Sequence, residues 1–122
     1  MVLVDTSVWV SHLRAGDAGL AALLNDARVA CHPFVVGELA CGSLGNREEI
    51  LSLLQSLPMA ARVEHEEVMG FIEKHRLMAR GLGYIDMHLL ASALLSNIHL
   101  WTHDRKLRDA SMEFEMAYVL GK

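Results

Sequence analysis

Short apolar runs, each broken against a helical pattern, recur along this chain, and that alternation limits the folds open to it. Val2-Leu3-Val4 ends at Asp5 and reads as a strand buried on both faces. Ser7 to Arg14, with Val8, Trp9, Val10 and Leu13, reads as a helix stopped by Gly16-Asp17. Asp17 is a candidate N-cap for a second helix through Leu20, Leu23 and Leu24. Arg28 to Cys31 is a short β-like run, and Pro33 opens a helix that carries Glu38 and Leu39 and fades at Gly42 and Gly45. Asn46 is placed to cap the next helix, which Pro58 ends.

Further on, Val63 reads as a brief strand and Glu66 to Arg80 as a helix terminated by Gly81 and Gly83. Tyr84 to Asn97 gives the strongest helical pattern, with Leu89, Leu90, Ala93 and Leu94 on one face. His99 to His103 reads as a strand, Asp104 to Asp109 as a short helix and Met116 to Leu120 as a last strand. Strands alternating with helices predict an α/β fold with a mostly parallel central sheet flanked by helices. A chain of 122 residues without repeat or low-complexity tract is expected to form one domain over residues 1–122.

Apolar residues make up 52% of the chain, enough for a helix-rich core and for a further apolar face kept for a partner. The longest stretch free of Asp, Glu, Lys and Arg, Met87 to His103, is interrupted by His88, Ser92, Ser96, Asn97 and His99. A buried helix and a strand are expected there, not a membrane span. No basic segment followed by an apolar one opens the chain, so no signal peptide is expected. Cys31 and Cys41 match no zinc or redox spacing and read as reduced core thiols of a cytoplasmic protein. A net charge of −4 argues against a broad basic surface as the source of nucleic-acid affinity. It leaves a metal-dependent nuclease open, because bound cations reverse the local sign.

Four acids stand where such a fold gathers functional groups. Asp5 and Asp104 follow strands, and ligands in open α/β sheets collect at the carboxyl ends of strands. Asp86 lies in the first turn of the long apolar helix, and Glu38 is one turn into the helix after the second strand. Carboxylates sharing a crevice repel and raise one another's pKa unless a cation sits among them. Mg²⁺ or Mn²⁺, which prefer oxygen ligands, would suit that set, and metal-assisted phosphodiester hydrolysis is the chemistry it suggests.

Each acid also has an ordinary reading. Asp5 and Asp104 are placed as helix caps, and Asp86 as a first-turn acid that complements the helix dipole. Glu38 has the strongest individual case, because its almost wholly apolar surroundings predict burial and an ionised Glu is seldom buried unpaired. Of the seven histidines, no helix carries a His-x-x-x-His pair; His103 is expected to alternate with Thr102 and Asp104 on its strand and so face away from them, and His88 to lie on a different part of its helix from Asp86. Arg105, Lys106 and Arg108, with Arg14, Arg47, Arg76 and Arg80, are candidates for RNA phosphate contacts or plain surface charges.

Val2-Leu3-Val4-Asp5-Thr6-Ser7, Pro33-Phe34-Val35-Val36-Gly37-Glu38-Leu39, Tyr84-Ile85-Asp86 leading into Ala91-Ser92-Ala93, and Leu100-Trp101-Thr102-His103-Asp104 together resemble the four PIN-domain motifs. They occur in family order across nearly the whole chain, at a length similar to that of VapC-type toxins of toxin–antitoxin pairs. The resemblance implies a single PIN-like domain, a homodimer, an RNA substrate and a Mg²⁺- or Mn²⁺-dependent endoribonuclease. It also implies a cognate VapB-like antitoxin whose tail blocks the active site. By motif position Asp5, Glu38, Asp86 and Asp104 would be catalytic, with Asp5, Asp86 and Asp104 as direct metal ligands and Glu38 acting through water. Thr102 and Ser7 would hold carboxylates or phosphate oxygens. Rival readings are a PIN-like module that binds RNA or protein without cutting, and an Asp-based phosphatase. The phosphatase is disfavoured because Ser7 stands where a second Asp would be required.

Overall fold

The computed structural model describes residues 1–119. Its sheet has β1 (Val2–Val4) at the centre, β2 (Val29–Ala30) on one side and β3 (His99–Trp101) on the other, all parallel. Leu3 pairs with Ala30 in one direction and with Leu100 in the other, and Val4 pairs with Trp101. Every side chain of β1 is buried, as an apolar central strand requires. The α/β class and the parallel sheet agree with the sequence pattern.

Around the sheet, among the described residues, run α1 (Thr6–Ala15), α2 (Ala18–Asn25), α3 (Pro33–Ala40), α4 (Arg47–Ser56), α5 (His65–His75), α6 (Tyr84–Ser96) and α7 (Arg105–Glu113). Asp17 caps α2 by accepting from the Leu20 N–H at 3.0 Å, and Pro33 takes the first position of α3 after His32. Seven consecutive residues of α6, Met87 to Ala93, are buried, so the middle of this helix is surrounded by protein and not merely amphipathic. Leu3, Val8, Val35, Leu89, Leu90, Leu100 and Leu107 form the centre of one apolar cluster. None of the helices among the described residues is long and apolar enough to cross a membrane.

Several boundaries differ from the sequence pattern. Helix α5 ends at His75, and Arg76 turns the chain in the left-handed conformation, φ 51°. Leu77 is thereby delivered into the core at 1% exposure, and its N–H bonds to the Ile72 carbonyl at 3.0 Å. Burying a leucine is worth about 1.5–3 kcal/mol, more than a left-handed residue costs, so the glycines are not needed as terminators. Gly81 instead makes the turn toward α6 at φ +79°, where a Cβ would meet the Lys106 side chain at 2.6 Å. Asn46 precedes α4 but is itself left-handed and makes no side-chain cap. The strand expected at Val63 is absent; Met59 supplies an isolated parallel bridge to Cys31. Strand β3 stops at Trp101, and the last predicted strand is reduced to a bridge between Leu100 and Ala117, with Leu120 outside the described residues. Cys31 is buried as expected, and burial pushes its thiol up, but Cys41 is exposed.

Candidate active site

Because all three strands are parallel, their carboxyl ends share one edge, and each leads into a helix N-terminus there. Asp5, His32 and Asp104 occupy the N-cap positions of α1, α3 and α7. Helix α6 returns to β3, so its first turn, with Asp86, lies toward the same edge. Four helix N-termini therefore direct partial positive charge toward the place where the acids gather.

Asp5 is only 7% exposed. Its backbone N–H donates to the Trp101 carbonyl at 2.9 Å, which extends the β1–β3 ladder by one residue and sets Asp5 beside Thr102. Thr102 and Ser7 then donate their hydroxyls to Asp5 Oδ2, at 2.7 and 2.9 Å. The Asp5 side chain makes no capping bond to α1. The plain helix-cap reading of Asp5 therefore fails, and the holding role expected of Ser7 and Thr102 toward a carboxylate is present. Ser7 Oγ also accepts from the His103 N–H at 3.0 Å, and Thr102 Oγ1 accepts from the Asp104 N–H at 3.0 Å. One hydroxyl network thus spans the ends of two strands.

Asp104 is a helix cap, since its Oδ2 accepts from the Leu107 N–H at 3.2 Å. Asp86 Oδ2 accepts from the Gly83 N–H at 2.9 Å, and Glu38 Oε1 accepts from the Thr6 hydroxyl at 2.7 Å. Among the described residues, each acid thus has one oxygen held by the chain and the other, Oδ1 or Oε2, without a protein donor. Burial pushes the Asp86 carboxyl above its ordinary value; the Gly83 N–H opposes this, and the charges of Asp5, Asp104 and Glu38 push it further up. Three separate elements therefore bring their carboxylates within electrostatic reach of the fourth.

No Lys or Arg among the described residues forms an ion pair with any of these acids. Nor do three or more His, Cys, Asp or Glu side chains among the described residues close to ligating distance as they stand. The donor chemistry nevertheless fits a hard divalent cation: the oxygens are anionic, and among the described residues four are free and no Lys or Arg pairs with them.

Two expectations need correction. Glu38 is exposed, not buried, because it lies on the outer side of α3 while Val35, Val36 and Leu39 face the core. The strand alternation expected to turn His103 away from Thr102 and Asp104 does not apply, because β3 ends at Trp101 and Asp104 is the N-cap of α7. Thr6 was not singled out as a site residue, and the run of two hydroxyls directly after Asp5 was the available signal. Of the basic candidates, Arg80 pairs with Glu113 and Arg47 bonds the Ala40 and Gly42 carbonyls, so both serve the fold. Arg105 lies 4.0 Å from Asp109 in an exposed pair.

A parallel sheet whose carboxyl edge gathers acids from β1, α3, α6 and α7 is the arrangement expected from the motif order, and the PIN-domain family model matches residues 2–112. The chain belongs to the PIN-domain family. It is similar to two curated relatives, each named Ribonuclease VapC32, from Mycobacterium tuberculosis strains CDC 1551 / Oshkosh and ATCC 25618 / H37Rv. Each is 48% identical over 118 residues, covering 96% of this chain and 95% of the relative.

Proposed function

We propose that residues 1–122 act as one PIN-like domain, a divalent-metal-dependent endoribonuclease that forms the toxic half of a toxin–antitoxin pair. The observation that carries this reading is the carboxylate set: Asp5, Glu38, Asp86 and Asp104 share one field and each keeps an oxygen free. The similarity to proteins named Ribonuclease VapC32 supports RNA as the substrate. Asp5, Asp86 and Asp104 would hold Mg²⁺ or Mn²⁺, with Glu38 orienting a water. When bound, the ion supplies Lewis-acid charge to the phosphodiester and helps to activate the attacking water. Ser7 and Thr102 fix Asp5 so that its free oxygen needs little reorganisation, and Thr6 does the same for Glu38.

The partners in this reading are a VapB-like antitoxin, RNA in the cytoplasm and a second copy of the chain. A groove lined by Thr6, Val10, Leu13, Glu38, Leu44 and Ile50 supports the antitoxin, because it sets an apolar seat beside Glu38. Leu95 and Met112, each more than half exposed, are apolar surface that a homodimer would cover.

The test is cleavage of RNA by the purified chain with and without Mg²⁺ or Mn²⁺, paired with growth of bacteria expressing it. Cleavage should need the ion, and Asp5→Asn should abolish both cleavage and growth arrest while the protein stays folded. Undiminished cleavage by Asp5→Asn, or in the presence of a chelator, would sink the metal-nuclease reading.

A further inference from the structure

Outside the acidic crevice, the N-terminal ends of α3, α5 and α6 enclose a cavity of about 370 Å³, within the range of small-ligand sites. Its walls include His32, Phe34, Arg62, His65, Tyr84 and His88. The two imidazoles nearest the core are 3% and 5% exposed, and Nε2 of each is buried with no hydrogen-bond partner. His32 Nδ1 accepts from the Phe34 N–H at 3.0 Å, so in the neutral ring the proton lies on Nε2. Burial first, then the charges of His88 and Arg62, push the His32 pKa down to about 4, which keeps that neutral form. A residue of the cavity wall therefore carries a buried N–H donor that lacks an acceptor, a costly arrangement that a ligand reaching it would relieve.

The remaining wall is aromatic. Phe34 and Tyr84 meet His88 edge-on, with centroids 4.7 and 4.6 Å away, and they remain 37% and 44% exposed. His65 Nδ1 and the Tyr84 hydroxyl are hydrogen-bonded at 2.6 Å, which sets the tyrosine ring. Two links join this cavity to the acids. Phe34 is four residues before Glu38 on α3, hence on the same face one turn away, and Tyr84 is two residues before Asp86. A flat, π-faced ligand carrying acceptor edges, attached to a phosphate near the acids, matches these features.

We propose that this cavity is a nucleobase subsite, in which a base adjoining the cleaved phosphodiester stacks on Tyr84 and Phe34 and accepts a hydrogen bond from His32 Nε2. It rests on the nuclease reading for the phosphodiester but not for the pocket itself. Stacking on aromatic rings is the usual means by which proteins hold unpaired RNA bases, and Arg62 at the rim supplies a cation for the backbone. His32 Nε2 is sealed from water, so a base reaches it only when a side chain of the cavity wall moves aside.

Two measurements test this. In the first, the chain cleaves RNA oligonucleotides that differ only in one abasic position, placed in turn on each side of the cleaved bond. At one position the missing base should raise KM about tenfold or more. That gap should shrink below about twofold in Tyr84→Leu and Phe34→Leu and persist in Tyr84→Phe. An unchanged gap in both leucine variants overturns the subsite and leaves the nuclease reading standing. In the second, nucleoside 5′-monophosphates or inorganic phosphate are titrated into chain carrying ¹⁵N-labelled histidine. The His32 Nε2 signal should move with a nucleotide and not with phosphate alone. A response only to phosphate, or none, overturns the proposal even if no RNA is cut; a nucleotide response without cleavage keeps the subsite and removes the nuclease. A co-purifying protein that shields Tyr84 while nucleotides leave the signal unmoved would make the cavity a protein seat, which also overturns it.

Discussion

The hydroxyl of Thr102 donates to Oδ2 of Asp5 across 2.7 Å, so the residue following one parallel strand fixes the carboxylate that follows its neighbour. Thr102 Oγ1 also accepts from the Asp104 N–H, and Thr102 is 5% exposed. Position 102 therefore couples two of the four acids through a single buried atom.

Thr102→Val keeps the shape of the side chain and removes that atom. The Asp104 N–H loses its acceptor and Asp5 loses a donor, which should cost about 1–3 kcal/mol of stability by denaturant titration. Divalent-ion affinity, read by calorimetric titration of Mn²⁺, should fall about 10- to 100-fold. Thr102→Ser should retain most of both. A valine variant that binds the ion as tightly as the parent would show that the hydroxyl does not position Asp5.

At Asp104 the cap and the proposed catalytic role separate cleanly. Asparagine caps a helix as well as aspartate does, so Asp104→Asn should change stability by only a few tenths of a kcal/mol, whereas Asp104→Ala should lose about 1 kcal/mol with the Leu107 contact. Both should lower RNA cleavage by on the order of 100-fold or more. If asparagine restores activity together with stability, Asp104 is a cap and nothing else.

Asp86 carries the cost of the shared field. Its carboxyl is raised mainly by burial, then by Asp5, Asp104 and Glu38, so the folded chain holds that proton more tightly than the unfolded one. Stability from this group is full below the ordinary carboxylate value and is lost as pH rises through the raised one. Asp86→Asn still offers an oxygen to the Gly83 N–H, so without divalent ions at neutral pH it should melt above the parent. Millimolar Mn²⁺ should raise the melting temperature of the parent more than that of the variant. A variant that melts lower without the ion would contradict the electrostatic cost assigned to this carboxylate.

His32 acts in the opposite sense. Its imidazole, pushed down from 6.5 to about 4 chiefly by burial, favours the folded state fully above pH 6.5, and that contribution disappears as pH falls toward 4. Urea denaturation of the parent should show a declining stability across this window. His32→Asn keeps a side-chain acceptor for the Phe34 N–H and has nothing to titrate, so its stability should vary less with pH there. Equal slopes would place the acid sensitivity elsewhere.

Much of this molecule was legible before any coordinates. Val2-Leu3-Val4 could only be a buried strand, Pro33 and Asp17 announced helix starts, and the motif order identified the family whose model matches residues 2–112. The failures share a cause. The helical pattern of the sequence continues α5 to Arg80, while the chain turns at Arg76 to bury Leu77. The expected burial of Glu38 failed because apolar neighbours in sequence lie on different faces of a helix. Thr6 and Gly83 escaped notice as partners of Glu38 and Asp86 because a hydrogen bond to a carboxylate leaves no periodicity in the sequence.

Residue order alone pointed to the α/β class and a parallel sheet, since alternating strand and helix periodicities encode those, and the order of the PIN-like motifs singled out Asp5, Glu38, Asp86 and Asp104 as candidates. Only tertiary structure decided that Thr102 reaches across 97 positions to Asp5, that Asp86 feels three other carboxylates, and that two histidines face a cavity with their Nε2 atoms unpaired. Those relations depend on distances between side chains far apart in the chain, and parallel strand register sets such distances only when the whole sheet has assembled.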